Sequence, residues 1–218
     1  MALKKYPESG MMYSEYGIML EAKDPGMGNG ILQWEKGIET DPEYSGNYYN
    51  AAKYYADHGN LLWAALYGEI FTNIESYSGR TTEIKDILFD MYKKIFNSGQ
   101  VSIKGSNAFE TRIVESLKKQ AGLSTDGINT ESLIAIRTRF VLDWFPASVK
   151  KYPYKLFELH HQLLENGLFE AYNQWLFGSV DNMPAYQDWK NSHVAEFNEF
   201  NKFQHNRVFK VPTGQYYK

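Results

Sequence analysis

Tyr13-Ser-Glu-Tyr16-Gly17-Ile-Met-Leu20 and Tyr48-Tyr-Asn-Ala51-Ala52-Lys-Tyr-Tyr55 lie 35 residues apart and decide the fold. Both stretches put a large residue first, a small one fifth and a large one eighth, the spacing of one helix face with a gap in it. A short glycine-bearing loop follows each, and then a second apolar stretch. The first of these runs Ile31-Leu-Gln-Trp34-Glu-Lys-Gly37-Ile38 to Pro42, and the other runs Leu61-Leu-Trp63-Ala64-Ala-Leu-Tyr67 to Phe71, after Gly59. A unit of helix, turn and helix that recurs at such a period is the mark of a stacked helical array.

The same periodicity continues beyond the repeat. Ile84, Ile87, Leu88, Met91, Tyr92, Ile95 and Phe96 form a stripe of period 3.6, with Arg80, Lys85, Asp86, Asp90, Lys93 and Lys94 off it. No sustained alternation of period two occurs before the last dozen residues, so the expected class is all-α. About ten helices are expected, near 10–22, 29–40, 45–58, 61–76, 80–97, 106–121, 130–145, 153–166, 168–178 and 184–203. Asn107 with Glu110, and Thr130 before Leu133, mark starts; Gly59, Gly99, Gly122, Pro146 and Gly167 mark stops. The tail from Val208 to Tyr217 alternates weakly and either lies extended along the surface or frays.

Residues 6–76 resemble the tetratricopeptide-repeat family. Tyr13 and Tyr48 match its bulky position, Gly17 and Ala52 its small one, and Leu20 and Tyr55 the next bulky one. Gly59 matches its turn glycine, Ala64 the small residue opening its second helix, and Pro42 its terminal proline. Pro7 and Pro42 are also 35 apart, which puts Lys4-Lys5-Tyr6-Pro7 in register as the end of a preceding helix. On that register the chain begins just inside an array, as a trimmed piece of a longer precursor would. A third unit fades, because no small residue stands near Asp86. A weaker echo at Leu156, Leu159, Leu163, Gly167 and Leu176 carries His160 at the small position. The stretch Trp63 to Ser76 is also similar to uncharacterised bacterial proteins of this repeat type. The resemblance implies a short right-handed α-solenoid over residues 1–99, with helices of 100–218 packed on it as a cap.

Composition narrows the chemistry. The 218 residues carry 23 basic and 26 acidic side chains, net −3, which lacks the excess of cations that phosphate neutralisation requires, so nucleic acid is not expected. No cysteine is present, removing disulfides, thiolate metal sites and cysteine nucleophiles. The longest apolar run, Leu61 to Tyr67, is seven residues, far short of the roughly 20 that span a bilayer. Gly26-x-Gly28-x-Gly30 has no preceding strand and no following Lys-Ser or Lys-Thr, so it reads as an inter-helix turn rather than a phosphate loop. Glu158-x-x-His161 has one di-iron spacing but lacks the matching motif and further glutamates, and no metal or other cofactor is expected. Carboxylate pairs such as Asp86/Asp90 and Glu196/Glu199 read as solvated helix faces. Phe197, Phe200 and Phe203, spaced by three, read as core packing with an exposed patch as the alternative.

A non-catalytic scaffold that binds a protein or peptide is what the family resemblance implies. Its groove would show Tyr49, Asn50, Lys53, Ala56 and Asp57 from the second unit and Ser14, Ile18 and Ala22 from the first. One subclass clamps a partner's C-terminal carboxylate with Lys and Asn in the first unit. Asn50 stands at its second-unit position, but Ser14 and Ile18 depart from the first, against a clamp of that kind. The alternatives are a self-assembling subunit that stacks through an open repeat end as a homo-oligomer, and a helical enzyme or small-molecule binder using His160, His161 or His193. A cysteine-free chain beginning within a repeat suits the bacterial cell envelope or periplasm better than the cytoplasm.

Overall fold

A computed structural model describes residues 2–218, and their regular structure is helical except for one hairpin of two-residue strands. Contacts divide the chain into two compact units, Met1–Leu88 with Phe209–Lys218, and Phe89–Val208.

The first unit contains α1 (Ala2–Lys5), α2 (Gly10–Lys23), α3 (Asn29–Thr40), α4 (Ser45–Asp57), α5 (Leu61–Ile74) and the part of α6 (Gly79–Ile95) up to Leu88. α2, α4 and α6 begin at residues 10, 45 and 79, so the period of the sequence returns as a period of helix starts. α1 ends two residues before Pro7, as α3 ends two residues before Pro42. α2 packs on α3 and α4, and α4 packs on α5. The small residues set how closely these helices approach. A Cβ on Gly17 would lie 2.3 Å from Trp34 Nε1, whose N–H donates to the Ser14 carbonyl at 3.2 Å. Ala51, Ala52 and Ala64 are wholly buried beneath Tyr48, Trp63 and Tyr67, and the Tyr48 and Tyr67 rings meet edge-on at 5.7 Å. At the other end of the helices, the Gly10 N–H donates to Asp41 Oδ2 at 2.9 Å. Asn47 Nδ2 returns a bond to the Gly10 carbonyl at 2.9 Å, tying the start of α2, the end of α3 and the start of α4 together.

The glycine-rich segment is a turn. Gly26 and Gly28 both take left-handed φ, 74° and 76°, which glycine adopts without a Cβ penalty. The Glu21 carboxylate accepts the Gly26 N–H at 2.6 Å and lies against Gly30 in the first turn of α3, where the N-cap Gly28 supplies no side chain. A negative charge there complements the helix dipole. The C-terminal segment takes the extended course along the first unit. Phe209 and Val211 are buried, Lys210 pairs with Glu43 at 3.1 Å, and the Lys218 ammonium lies 5.3 Å from the Tyr55 ring centre.

The second unit begins within α6 at Phe89 and continues with β1 (Phe96–Asn97), β2 (Gln100–Val101) and α7 (Ala108–Lys118). Then come α8 (Thr130–Ser148), α9 (Lys155–Glu165) and α10 (Phe169–Asn173), a π-helical turn Gln174–Gly178, α11 (Ser179–Asp181), α12 (Met183–Ser192) and α13 (Val194–Asn206). Four expectations are corrected here. α6 ends at Ile95, and Gly99 belongs to the β1–β2 turn, where Ser98 and Gly99 have φ of 48° and 78°, as a two-residue primed turn requires. The cap of α8 is Asn129, boxed with Ser132, one residue before Thr130. Pro146 does not stop α8; the carbonyl it leaves unbonded belongs to Leu142, which is 59% exposed and open to water. The helix expected over 184–203 breaks at His193, whose ring Nδ1 sits 3.1 Å from the Trp189 carbonyl that its own N–H also bonds.

Phe109, Phe140, Trp144 and Phe157 form the aromatic centre of this unit, with ring pairs 4.9–6.5 Å apart. Phe200 is fully buried against Tyr172 and Trp175, while Phe197 and Phe203 on either side of it are half-buried. At the rim, Asp143 accepts from Ser116 Oγ and Lys119 Nζ, both at 2.5 Å, and from Arg112 at 2.8 Å. Burial pushes its carboxyl up, but these three hydrogen bonds outweigh burial and hold it down at about 2. A carboxyl depressed by folding stabilises the protein fully above the ordinary aspartate range. That contribution is lost as pH falls from there through about 2. Asp143→Asn is therefore expected to lower the melting temperature at neutral pH and to flatten its fall on acidification over that window. Thermal melts across pH check it.

Candidate functional site

Ser14, Tyr49 and Glu83 each stand four residues after the start of their helix, so the repeat places them at one phase on α2, α4 and α6. Tyr49 and Glu83 are part-exposed, whereas Ser14 is buried. Asn50 Nδ2 donates to Ser14 Oγ at 3.2 Å, joining α4 to α2. The Tyr49 hydroxyl donates to Glu83 Oε2 at 2.5 Å, joining α4 to α6. Lys53, one turn along α4, reaches Glu83 Oε1 at 2.6 Å and donates to the Tyr49 hydroxyl at 3.2 Å. The Arg80 guanidinium covers the Tyr49 and Phe71 rings at 5.0 and 5.4 Å and forks onto the Glu75 carboxylate, which also accepts from Ser45 Oγ at 3.0 Å.

The charges on this face stabilise one another. The hydrogen bonds from Lys53 and Tyr49 hold the Glu83 carboxyl below its usual range, and Glu83 in turn raises Lys53. Burial raises the Tyr49 hydroxyl, which keeps it protonated and donating. Desolvation pushes Glu75 up, but Arg80, Ser78 and Ser45 together bring it below its ordinary value. Half-exposed pairs of this kind contribute little stability, roughly 0–1 kcal/mol each. They do hold Tyr49, Lys53 and Arg80 in a set arrangement in which the two cations stay part-exposed.

Of the eight residues expected in the groove, Tyr49, Asn50 and Lys53 belong to this network part-exposed, Ser14 joins it but is buried, Ala22 is exposed and Ala56 half-buried. Ile18 lies one turn beyond Ser14 on α2, 45% exposed, and Asp57 is exposed at the end of α4. Glu83, Arg80 and Glu75 complete the network and were missed. Their signal was present, since Glu83 follows Tyr49 by 34 residues and Arg80 stands off the α6 stripe. The histidines do not converge. His160 is buried, with Nε2 3.1 Å from an Arg137 nitrogen, His161 stacks on Phe145 at 3.9 Å, and His193 stacks on Trp189 at 5.0 Å. Among the described residues no three of His, Cys, Asp or Glu group as metal ligands, and no helix is long and apolar enough to cross a membrane. The chain matches no protein-family model, no curated protein and no solved structure.

Proposed function

We propose that the chain is a non-catalytic scaffold of tetratricopeptide-repeat type, a short helical solenoid that binds a peptide or protein segment on the face of α2, α4 and α6. The observation that carries this reading is the recurrence of helix starts at residues 10, 45 and 79 with Ser14, Tyr49 and Glu83 in phase, α4 bonding α2 through Asn50–Ser14 and α6 through Tyr49–Glu83. A face of paired charges around a tyrosine suits recognition. Its part-exposed ammonium offers a directional contact to a peptide carbonyl or carboxylate, and its set arrangement lowers the entropy cost of docking.

The test is affinity capture from native extract by the wild-type chain and by a Tyr49→Ser, Lys53→Glu variant checked by circular dichroism for unchanged helicity. A partner held through this face should drop by about tenfold or more in the variant, since a central tyrosine is a typical anchor. Equal capture by both proteins would move the binding face elsewhere.

A further inference from the structure

A polar cleft of about 350 Å³ opens in the second unit, at the lower end of the about 300–1,000 Å³ range of small-molecule sites. Its lining joins two helix starts and the π-helical turn: Asn129 and Thr130 open α8, Asn182 opens α12, Gln174 and Gly178 belong to the turn, and Tyr186 forms a wall. The π-helical turn explains the floor. It widens the helix by one residue per turn, and such turns recur at functional sites. Gly178 then leaves the room that the Gln174 carboxamide takes: a Cβ there would lie 2.6 Å from Gln174 Oε1 and 2.6 Å from the Tyr186 ring.

Gln174 is the informative residue. It is 8% exposed, lines the cleft and has no hydrogen-bond partner among the described residues. Its carboxamide carries two donors and an acceptor, which at the cleft lining can serve a ligand. The groups around it have spare capacity of both kinds. Asn129 and Asn182 each use Oδ1 to cap a helix, accepting from the Ser132 and Ala185 N–H groups, and so keep their NH2 donors. Asp181 Oδ2 accepts from the Thr130 N–H at 2.7 Å and hydroxyl at 2.9 Å, leaving Oδ1 as an acceptor. The Glu131 carboxylate adds another acceptor, and no cationic side chain lines the cleft.

That inventory disfavours an anion. Two carboxylates without a lining cation repel an anion, while neutral amide donors need lone pairs to bind. A group that gives and takes hydrogen bonds at neighbouring atoms, carries no charge and fits this volume is a sugar ring. We propose that this cleft binds a neutral saccharide unit, with Gln174, Asn129, Asn182 and Asp181 hydrogen-bonding its hydroxyls. The site is separate from the α2–α4–α6 face and does not depend on the scaffold reading.

The experiment titrates the full chain, by heteronuclear NMR, with methyl α-glucopyranoside, mannose and N-acetylglucosamine, and in parallel with glucuronate and with glucosamine as its ammonium. Saturable shifts centred on Tyr186 and the Gln174 side-chain amide are expected with a neutral sugar and not with glucuronate. Asn182→Asp retains the helix cap, because aspartate caps as well as asparagine, but it replaces a donor with a third carboxylate. It should weaken neutral-sugar binding about 5–10-fold, as Gln174→Leu should if it folds. The absence of saturable shifts with all three neutral sugars overturns the proposal. So do unchanged affinity in Asn182→Asp, and shifts confined to the ammonium sugar, which would define a cation site.

Discussion

Arg137→Ala should cost the second unit about 2–5 kcal/mol, the range for truncating a large buried side chain and breaking its hydrogen bonds. Arg137 is 3% exposed, midway along α8. One guanidinium nitrogen donates to Asn173 Oδ1 at 2.6 Å, and another lies 3.1 Å from His160 Nε2. Arginine only donates, so Nε2 must accept, and His160 is held as the neutral tautomer with its proton on Nδ1. The rings of Tyr92, Phe169, Tyr172 and Phe177 surround the guanidinium with centres 5.2–5.7 Å away, replacing part of its lost hydration by cation–π attraction. Alanine removes the cation from that cage, leaves a cavity, and takes from His160 Nε2 and Asn173 Oδ1 the hydrogen bonds it supplied. Arg137→Lys should recover only part of the loss, because an ammonium lacks the fork that reaches Asn173 and His160 at once. Amide exchange across α8 and α9, with urea melts of the whole chain, measures both variants. A loss below about 1 kcal/mol in the alanine variant would show the network to be marginal.

Arg137 also marks where sequence reading succeeds and where it stops. Leu133, Ile136, Phe140, Val141 and Trp144 form an apolar stripe on α8, and Arg137 stands inside it. An arginine on a buried face signals a network, but its partners lie 23 and 36 residues downstream, where helical periodicity says nothing of contact. His160, at the small position of the weaker echo, is part of the answer. By contrast α2 to α5 are bounded by local signals: proline after α3, glycines between α2 and α3 and before α5, and small residues at the contacts. Their ends accordingly fall within a residue or two of expectation. The β1–β2 hairpin escaped because two-residue strands are too short to alternate. The return of Phe209–Lys218 to the first unit is likewise a long-range event that a weakly alternating tail does not announce. At the candidate face the family resemblance pointed to Ser14, Asn50, Tyr49 and Lys53 among its groove residues. Glu83 and Arg80 were hidden because the third unit lacks the small residue that would have extended the pattern.

Gly17→Leu should be the most damaging single change in the first unit, and the contacts of Trp34 say why. The indole lies across Gly17, with Nε1, Cδ1 and Cε2 at 2.3, 2.7 and 2.8 Å from where a Cβ would stand, and it is held there by the bond to the Ser14 carbonyl. Even alanine does not fit. Replacing a helical glycine with alanine ordinarily stabilises by about 0.5–1 kcal/mol. At residue 17 that gain is outweighed by overpacking, which costs about 1–3 kcal/mol, and leucine should exceed that by displacing Trp34 altogether. Gly79→Ala is the control, since nothing lies within 4 Å of its added methyl group. Trp34→Phe should partly rescue Gly17→Ala, because the smaller ring lacks Nε1, the nearest of the three clashing atoms, and the coupling appears as non-additivity in thermal or urea melts. If Gly17→Ala were as stable as wild type, the close α2–α3 approach would not be what spaces this unit. The consequence reaches the candidate face. Ser14 sits one turn before Gly17 on α2, so moving α2 off Trp34 carries Ser14 away from Asn50 and opens the edge of the Tyr49–Glu83 network. Gly17→Ala with Trp34→Phe should therefore restore partner capture along with stability.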